Sequence, residues 1–430
     1  MQNSQKLPCL NPDTAEPLRH AAAAQQQKLI AQRRAFHALP ELGWQEVQTT
    51  AAIVKDLVEA GYEVVSGPAF LGEVVRLGMS ADPIAGEGDT GCIALYDTGR
   101  PGPTVCMRVD IDALPISEAG GNHAPAAQGF VSKNPGVMHS CGHDGHAAIG
   151  LATARVLEPY LKTGQGKLKL LFQPAEEGGR GGRAVAEAGW MDDVDLFFAI
   201  HLGLGVPSDS AAFAVHGVLA NMRYDVFFKG RAAHAGKTPE GGRSALLAAC
   251  QAVLGLHMMA QSSQPGIRVN VGLLEAGTAV NIVPEEARFT FEMRAQETED
   301  LDALKTRCCA FIEATAQAHG VECTFSQGGG ASGHSNPTAI SDWAAGINAT
   351  TGAFANVVPD FFFGASEDAG TLAHQVTKRG GIAGIFVLGA DLADDHHTPN
   401  FDFEEGALVK SVLLCSGLIA AALELQLDQA

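Results

Sequence analysis

Apolar positions along the chain recur with two periods, and the alternation between them predicts the architecture. Residues 20–38 and 46–60 carry the helical period; in the second, Ala52, Ile53, Leu57 and Val58 recur on one face. Leu39-Pro40 and Gly43 interrupt the run between them. The segment 1–18 reads as a loose arm. From Val64 onward short apolar runs at 73–77, 92–96 and 104–109 alternate with turns. The stretch 81–91 is a Gly-rich excursion, and Gly99-Arg100-Pro101-Gly102-Pro103 is a turn that feeds the last of these runs. An apolar helix is predicted over 147–161, a buried strand over 167–172, a helical turn over 184–188 and a strand over 196–201. Strands interleaved with helices predict an α/β sheet layer, with chemistry at the strand ends and in the loops after them.

A second pattern begins near Asn221. Strands at 223–229, 267–274, 286–294 and 321–325 and helices at 244–260 and 298–319 follow in the order β-α-β-β-α-β, that of a ferredoxin-like module. Gly328-Gly329-Gly330 reads as a hinge closing it. A helix at 339–350, a buried strand at 381–388 and a helix at 404–425 then return to the first pattern. The predicted organisation is a catalytic α/β domain, 1–220 plus 332–430, with 221–331 inserted as a lid or dimerisation domain.

Composition narrows the partners. The 430 residues are 46% hydrophobic and 18% charged, suited to a globular protein with a sizeable core. A net charge of -19 argues against binding nucleic acid, which needs a positive footprint. No run of apolar residues is long enough to span a membrane, and the polar N-terminus lacks the apolar core of a secretory signal. Nine scattered cysteines, odd in number and without a CxxC pair, suit reduced thiols in the cytoplasm.

The chemistry is concentrated in three segments. Met138-His139-Ser140-Cys141-Gly142-His143-Asp144-Gly145-His146 packs a thiol, three imidazoles and a carboxylate into nine residues. Cys, His and Asp are the side chains that bind divalent metals at neutral pH. Gln173-Pro174-Ala175-Glu176-Glu177-Gly178 adds paired carboxylates, and Asp395-His396-His397-Thr398-Pro399 adds imidazoles. Cys141 and His143 are two apart, so in an extended turn both can point to one side. With Glu177, His201 and His397 they make five candidate ligands for two divalent cations. A thiolate can bridge two cations, leaving His143 and Glu177 on one and His201 and His397 divided between the two in an open order. Glu176, beside a ligand, is the candidate general base. Asp110 and Asp112 share one face after a buried strand, and Asp112 is placed to orient a ligand imidazole. His234, between small residues in Gly230-Arg231-Ala232-Ala233-His234-Ala235-Gly236, is a candidate oxyanion stabiliser. Lys237, Arg243, Arg294 and Asn281 are candidates for reading a substrate carboxylate, with Asn281 preferred.

These motifs resemble the dinuclear-metal aminoacylase and carboxypeptidase-type amidohydrolases, in the subgroup of hippurate, N-acyl-amino-acid and auxin-conjugate hydrolases. The markers span about 33 to 405. They are Arg33-Arg34-Ala35-Phe36-His37 with Pro40-Glu41-Leu42, Asp110-Ile111-Asp112-Ala113-Leu114-Pro115, the Cys141 and Glu176 segments, His234, Asn281-Ile282-Val283-Pro284, Ser366-Glu367-Asp368 and His397-Thr398-Pro399. Within the subgroup, Ala232-Ala233-His234-Ala235-Gly236 with Pro239 and Arg268-Val269-Asn270-Val271-Gly272 look most like the A subunit of the aminobenzoyl-glutamate hydrolases and the indole-acetyl-aspartate hydrolases. The resemblance implies metal ligands at Cys141, His143, Glu177, His201 and His397, with Glu176 as base. It implies that His234 reaches the active site of a partner subunit through lid-domain dimerisation. Asn281 would hold the substrate carboxylate or carbonyl, with Arg294 and Glu367 as further substrate-binding candidates. The wider carboxypeptidase branch has His where Asp110 stands and a bridging Asp where this chain uses Cys141. The thiolate favours zinc, whereas the subgroup is linked to manganese.

The expected activity is hydrolysis of the amide of an N-acyl or N-aroyl amino acid, an acidic one such as aminobenzoyl-glutamate, by metal-bound hydroxide formed with Glu176. Indole-acetyl-aspartate or another acyl-amino acid is the alternative substrate. The expected partners are this small molecule and a second copy of the chain, or a second related subunit. Two rivals compete: a thiol amidase using Cys141 as nucleophile, and a non-catalytic metal-binding subunit of a larger assembly.

Overall fold

The computed structural model describes residues 7–12, 15–80, 82–264 and 266–427. They divide into two compact units, Met1–His216 with Ser335–Phe363 and Thr371–Ala430, and Gly217–His334 with Gly364–Gly370.

The first unit is built on a mixed eight-stranded sheet. Its centre is four parallel strands, in the order Lys167–Gln173, Thr104–Asp110, Leu196–Leu202 and Ile382–Leu388. Cys92–Asp97 and Glu63–Ser66 extend it antiparallel on one side. Two of the central strands, Thr104–Asp110 and Leu196–Leu202, are buried along their whole length, which is why they read as continuous apolar runs rather than as alternation. The helix His143–Leu161 packs against Gln26–His37, Gly406–Ala422 and the sheet, and nearly all its residues are buried. Each large apolar side chain withdrawn from water in this core contributes about 1.5–3 kcal/mol. No helix among the described residues is long and apolar enough to cross a membrane.

The second unit is a four-stranded antiparallel sheet, in the order Glu322–Ala331, Ala220–Lys229, Glu286–Ala295, Arg268–Ala276. The helices Ala245–Met259 and Thr298–His319 pack on it and on each other. Period-two alternation buries Val226, Phe228, Phe289, Phe291 and Met293 beneath them. Ser244 starts the first helix, its Oγ accepting the Leu247 N–H at 3.3 Å.

Four expectations need correction. Part of the arm read at 1–18 lies outside the described residues, but 15–18 begin the helix Ala15–Ala24, because Leu18 and Ala22 bury against neighbouring helices. The run 73–77 forms no strand, since the Arg76 guanidinium folds it into a turn by donating to the carbonyls of Gly72 and Val74. The apolar helix starts at His143, not at 147. Gly328-Gly329-Gly330 is no hinge but the end of the strand Glu322–Ala331, with a register shift between Gln327 and Gly329.

Candidate metal centre

The parallel strands end together. Asp110 stands opposite Gln173, and Leu388 opposite Leu202, so the loops that follow open at one sheet edge. Gly142, with φ 89°, turns the chain between Cys141 and His143, which makes His143 the first residue of the long helix. His201 is the penultimate residue of its strand. Glu176 and Glu177 lie in a tight loop after Gln173; a Cβ at Gly181 would stand 1.7 Å from the Pro174 carbonyl oxygen. His397 takes a left-handed backbone, φ 63°, and its N–H donates to the Ser140 carbonyl at 2.8 Å. That bond ties the C-terminal loop to the cysteine loop.

These elements bring Cys141, His143, Glu176, Glu177, His201 and His397 into overlapping trios. In Cys141–His143–His201, Cys141–Glu177–His397 and His143–Glu176–Glu177, the ligand atoms lie within 4.8 Å of one another. Cys141 is common to two of them. His143 Nδ1 lies 2.9 Å from the Asp112 carbonyl and His201 Nδ1 lies 3.0 Å from the Leu202 carbonyl. A carbonyl only accepts, so both Nδ1 atoms carry a proton, which leaves Nε2 as the ring atom that would face a cation. His201 Nε2 is 3.6 Å from Cys141 Sγ. His143 Nε2 and Glu177 Oε1 are buried without a hydrogen bond of good geometry. Soft sulfur, imidazole nitrogen and carboxylate oxygen, with buried lone pairs left over, fit divalent cations.

The electrostatics agree. Hydrogen bonds to Cys141 and then Glu177 push the His397 imidazole up to about 10. His143 is held well above the usual histidine range: burial opposes its charge, but Asp110 and Cys141 outweigh that. The centre thus favours positive charge. Burial pushes the Cys141 thiol up.

A neighbouring trio, Asp110, His143 and His146, also has ligand-type spacing, but two of its members are saturated. His146 Nε2 accepts the Leu202 N–H at 2.9 Å, so its Nδ1 is the donor to Asp110 Oδ1 at 2.6 Å. Asp110 Oδ2 takes Arg108 Nη1 at 2.7 Å.

Asp112 sits where the sequence places it, its Oδ1 3.3 Å from His143 Nδ1. Its main-chain carbonyl meets His143, while Oδ1 and Oδ2 accept the backbone N–H groups of Glu176 and Glu177 at 3.1 and 3.0 Å. Behind His143, Asp144 Oδ2 receives Arg33 Nε and His37 Nδ1, both at 2.8 Å. His37 Nε2 meets Glu118 Oε1 at 2.9 Å. Burial opposes charge on His37, but the carboxylates on its two ring nitrogens outweigh that and raise it above its ordinary value. Arg33 and His37 belong to a motif the sequence marks without giving it a task. Glu46, which sequence reasoning missed, is buried and accepts the Ala175 N–H at 2.7 Å.

His234 and Asn281 lie in the second unit and are exposed. Their segments pair, the Ala235 N–H donating to the Asn281 carbonyl at 3.0 Å. Arg294 is not with them: it lies eight residues beyond Glu286, roughly 27 Å of strand, and its guanidinium binds Glu292 at 3.2 Å. Glu367 is buried, its Oε1 accepting the Ala369 N–H at 2.9 Å.

A mixed α/β sheet with this donor set at the carboxyl edge of its parallel strands defines a metallohydrolase of amide bonds. The chain belongs to peptidase family M20/M25/M40, whose model matches residues 106–421. It is 38% identical to the indole-3-acetyl-aspartic acid hydrolase of Enterobacter agglomerans, covering 88% of this chain and 92% of that protein. It is also 38% identical to one of the subunits of the p-aminobenzoyl-glutamate hydrolase of Escherichia coli, covering 90% and 93%. Among solved structures, the aminobenzoyl-glutamate utilization protein of Klebsiella pneumoniae superposes with a TM-score of 0.76 at 31% identity, over 95% of this chain and 98% of that one. A dinuclear metal-binding M20 peptidase of Bacillus subtilis does so with 0.69 at 26%, over 94% and 99%.

Proposed function

We propose that this protein hydrolyses the amide bond of N-acyl or N-aroyl amino acids, acidic ones in particular, at a centre of two divalent cations held by Cys141, His143, Glu177, His201 and His397. The observation that carries this is the set of overlapping donor trios, two of them sharing Cys141, with His143 Nε2 and Glu177 Oε1 buried and without a hydrogen bond of good geometry. Indole-3-acetyl-aspartic acid and p-aminobenzoyl-glutamate, the compounds in the relatives' names, both join an aromatic acyl group to an acidic amino acid.

When bound, the cations polarise the amide carbonyl and make a water more acidic. Glu176 accepts the proton of the attacking water and passes it to the departing amine; its Oε2 lies 4.0 Å from His143 Nε2, at the rim of the donor set. His143 and His201 keep Nε2 inward because their Nδ1 protons are held by main-chain carbonyls. Asp112 is the positioning residue for the two glutamates. Zinc suits the thiolate; manganese is the alternative. A Cys141 nucleophile is disfavoured, since burial raises its thiol rather than activating it.

The second unit, with its β-α-β-β-α-β order, is on this reading a ferredoxin-like lid and dimerisation domain. Its edge strand Arg268–Ala276 exposes Leu273 and Leu274, and the helix Ala245–Met259 exposes Leu254 and Met258; such a patch suits a second copy of the chain or a related protein. His234 and Asn281 then complete a partner's site, His234 at the oxyanion and Asn281 at the substrate carboxylate. The nine free cysteines suit the cytoplasm.

A panel of acyl- and aroyl-amino acids, including aminobenzoyl-glutamate and indole-acetyl-aspartate, assayed with manganese, with zinc and after chelation, tests this. Turnover of acidic conjugates, lost on chelation and restored by one of the metals, is expected. Turnover that survives chelation contradicts the proposal and favours a thiol enzyme.

A further inference from the structure

The geometry points to Glu46 as a positioning residue of the hydrolysis, acting through the main chain of the loop that carries Glu176 and Glu177. It rests on the proposed roles of those two glutamates. Glu46 lies ahead of the residues 106–421 that match the family model, in the stretch Pro40-Glu41-Leu42-Gly43-Trp44-Gln45-Glu46.

Three successive backbone N–H groups, those of Ala175, Glu176 and Glu177, each end on a carboxyl oxygen. Glu46 Oε1 receives the first at 2.7 Å; Asp112 Oδ1 and Oδ2 receive the second and third. Ala175 has φ 51°, a left-handed backbone that a side chain with a Cβ rarely adopts. An alanine in that conformation persists only where its surroundings impose it. The bond from Glu46 is the restraint on that residue's own N–H, and the turn it fixes sets the direction in which the next two side chains leave the chain.

Glu46 is itself fixed. It is fully buried, and its Oε2 pairs with Thr90 Oγ1 at 2.7 Å. The rest of its loop is anchored nearby: the Ala113 N–H donates to the Glu41 carbonyl at 2.8 Å, and Asn134 Nδ2 donates to the Pro40 carbonyl at 2.7 Å. The same segment therefore braces the strand end that bears Asp112 and the loop that bears Glu176. Burial and then the Asp112 charge push the Glu46 carboxyl up to about 8, so near neutral pH glutamine is its close isostere: an amide oxygen for Ala175 and an amide N–H for Thr90.

The test compares Glu46→Ala, Glu46→Gln and Thr90→Val, with Glu176→Gln as a control on the reading beneath it. The readouts are kcat, KM and zinc affinity by competition with a chromophoric chelator. Glu46→Ala is expected to lower kcat about 100-fold and weaken zinc about tenfold, the range for residues that orient ligands from behind, with KM within about threefold. Glu46→Gln is expected to recover most of both losses. A folded Glu46→Ala with kcat and zinc affinity within about threefold of the parent overturns the inference, as does a Glu46→Gln as deficient as the alanine. If Glu46→Ala does not fold, Thr90→Val decides: a loss of about tenfold in kcat or zinc affinity is expected, the lower end of that range, and a change within about threefold overturns the inference. Full activity in Glu176→Gln would instead overturn the base assignment, a separate failure.

Discussion

Asp110 with His146, and Cys141 with Glu177 and His397, are two clusters of ligand-type side chains at the same sheet edge, and they differ in what their lone pairs already do. Around Asp110 and His146 the protein supplies its own partners: Arg108 and His146 for the carboxylate, and the Leu202 N–H for the ring. Around Cys141 the donors face one another, Glu177 Oε1 3.3 Å from His397 Nε2 and Cys141 Sγ 3.6 Å from His201 Nε2. There His143 Nε2 and Glu177 Oε1 stay buried without a hydrogen bond of good geometry. Residue type and spacing alone rate the two clusters alike. What separates a metal centre from a buried ionic network is whether lone pairs are left over.

The largest expected effect bears on the cluster with lone pairs to spare. Glu176→Gln keeps every proposed ligand and removes the base, so kcat should fall by about 10³-fold while metal content stays at the parental level. Metal analysis and steady-state kinetics on one preparation check both halves.

The comparison itself is broken or sharpened by a pair of substitutions on the first two turns of one helix. His143→Ala should lose bound metal and about 1 kcal/mol of urea stability, since only the Asp112 carbonyl loses its donor. His146→Ala should keep its metal but lose roughly 3 kcal/mol, because Asp110 Oδ1 and the Leu202 N–H each lose the ring that holds them. Metal stoichiometry and urea unfolding separate the two; the reverse pattern would exchange the roles of the clusters.

The last effect is a slope with pH. In metal-stripped protein Glu46 holds its proton up to about 8, above its ordinary 4.5. Between these values the folded chain binds more protons than the unfolded one, so this group makes stability fall as pH rises from about 4.5 to 8 and adds no slope outside that window. Glu46→Gln should remove this component, so that variant should gain on the parent as pH rises.

The parallel strands were legible because full burial leaves runs such as Phe197-Phe198-Ala199-Ile200 in the sequence. The α/β character follows from their alternation with helices. The donor cluster was legible because Cys141 and His143 stand two apart along the chain and have few structural reasons to do so. The segment 73–77 misled because its apolar residues suggest a strand, while one arginine closes the turn. The hold of Asp112 and Glu46 on the loop of Glu176 and Glu177 was hidden for a different reason. Both act on backbone N–H groups 64 to 129 residues away, and a backbone N–H leaves no mark on residue identity. The saturation of His146 was likewise invisible, since its second partner is a main-chain group.

The most direct measurement is anomalous scattering from crystals of the manganese-loaded protein. Two ions per chain are expected, both bordered by Cys141, with His143, Glu177, His201 and His397 completing the set and neither ion touching His146. A single ion bound between Asp110 and His146, or none near Cys141, would contradict the account.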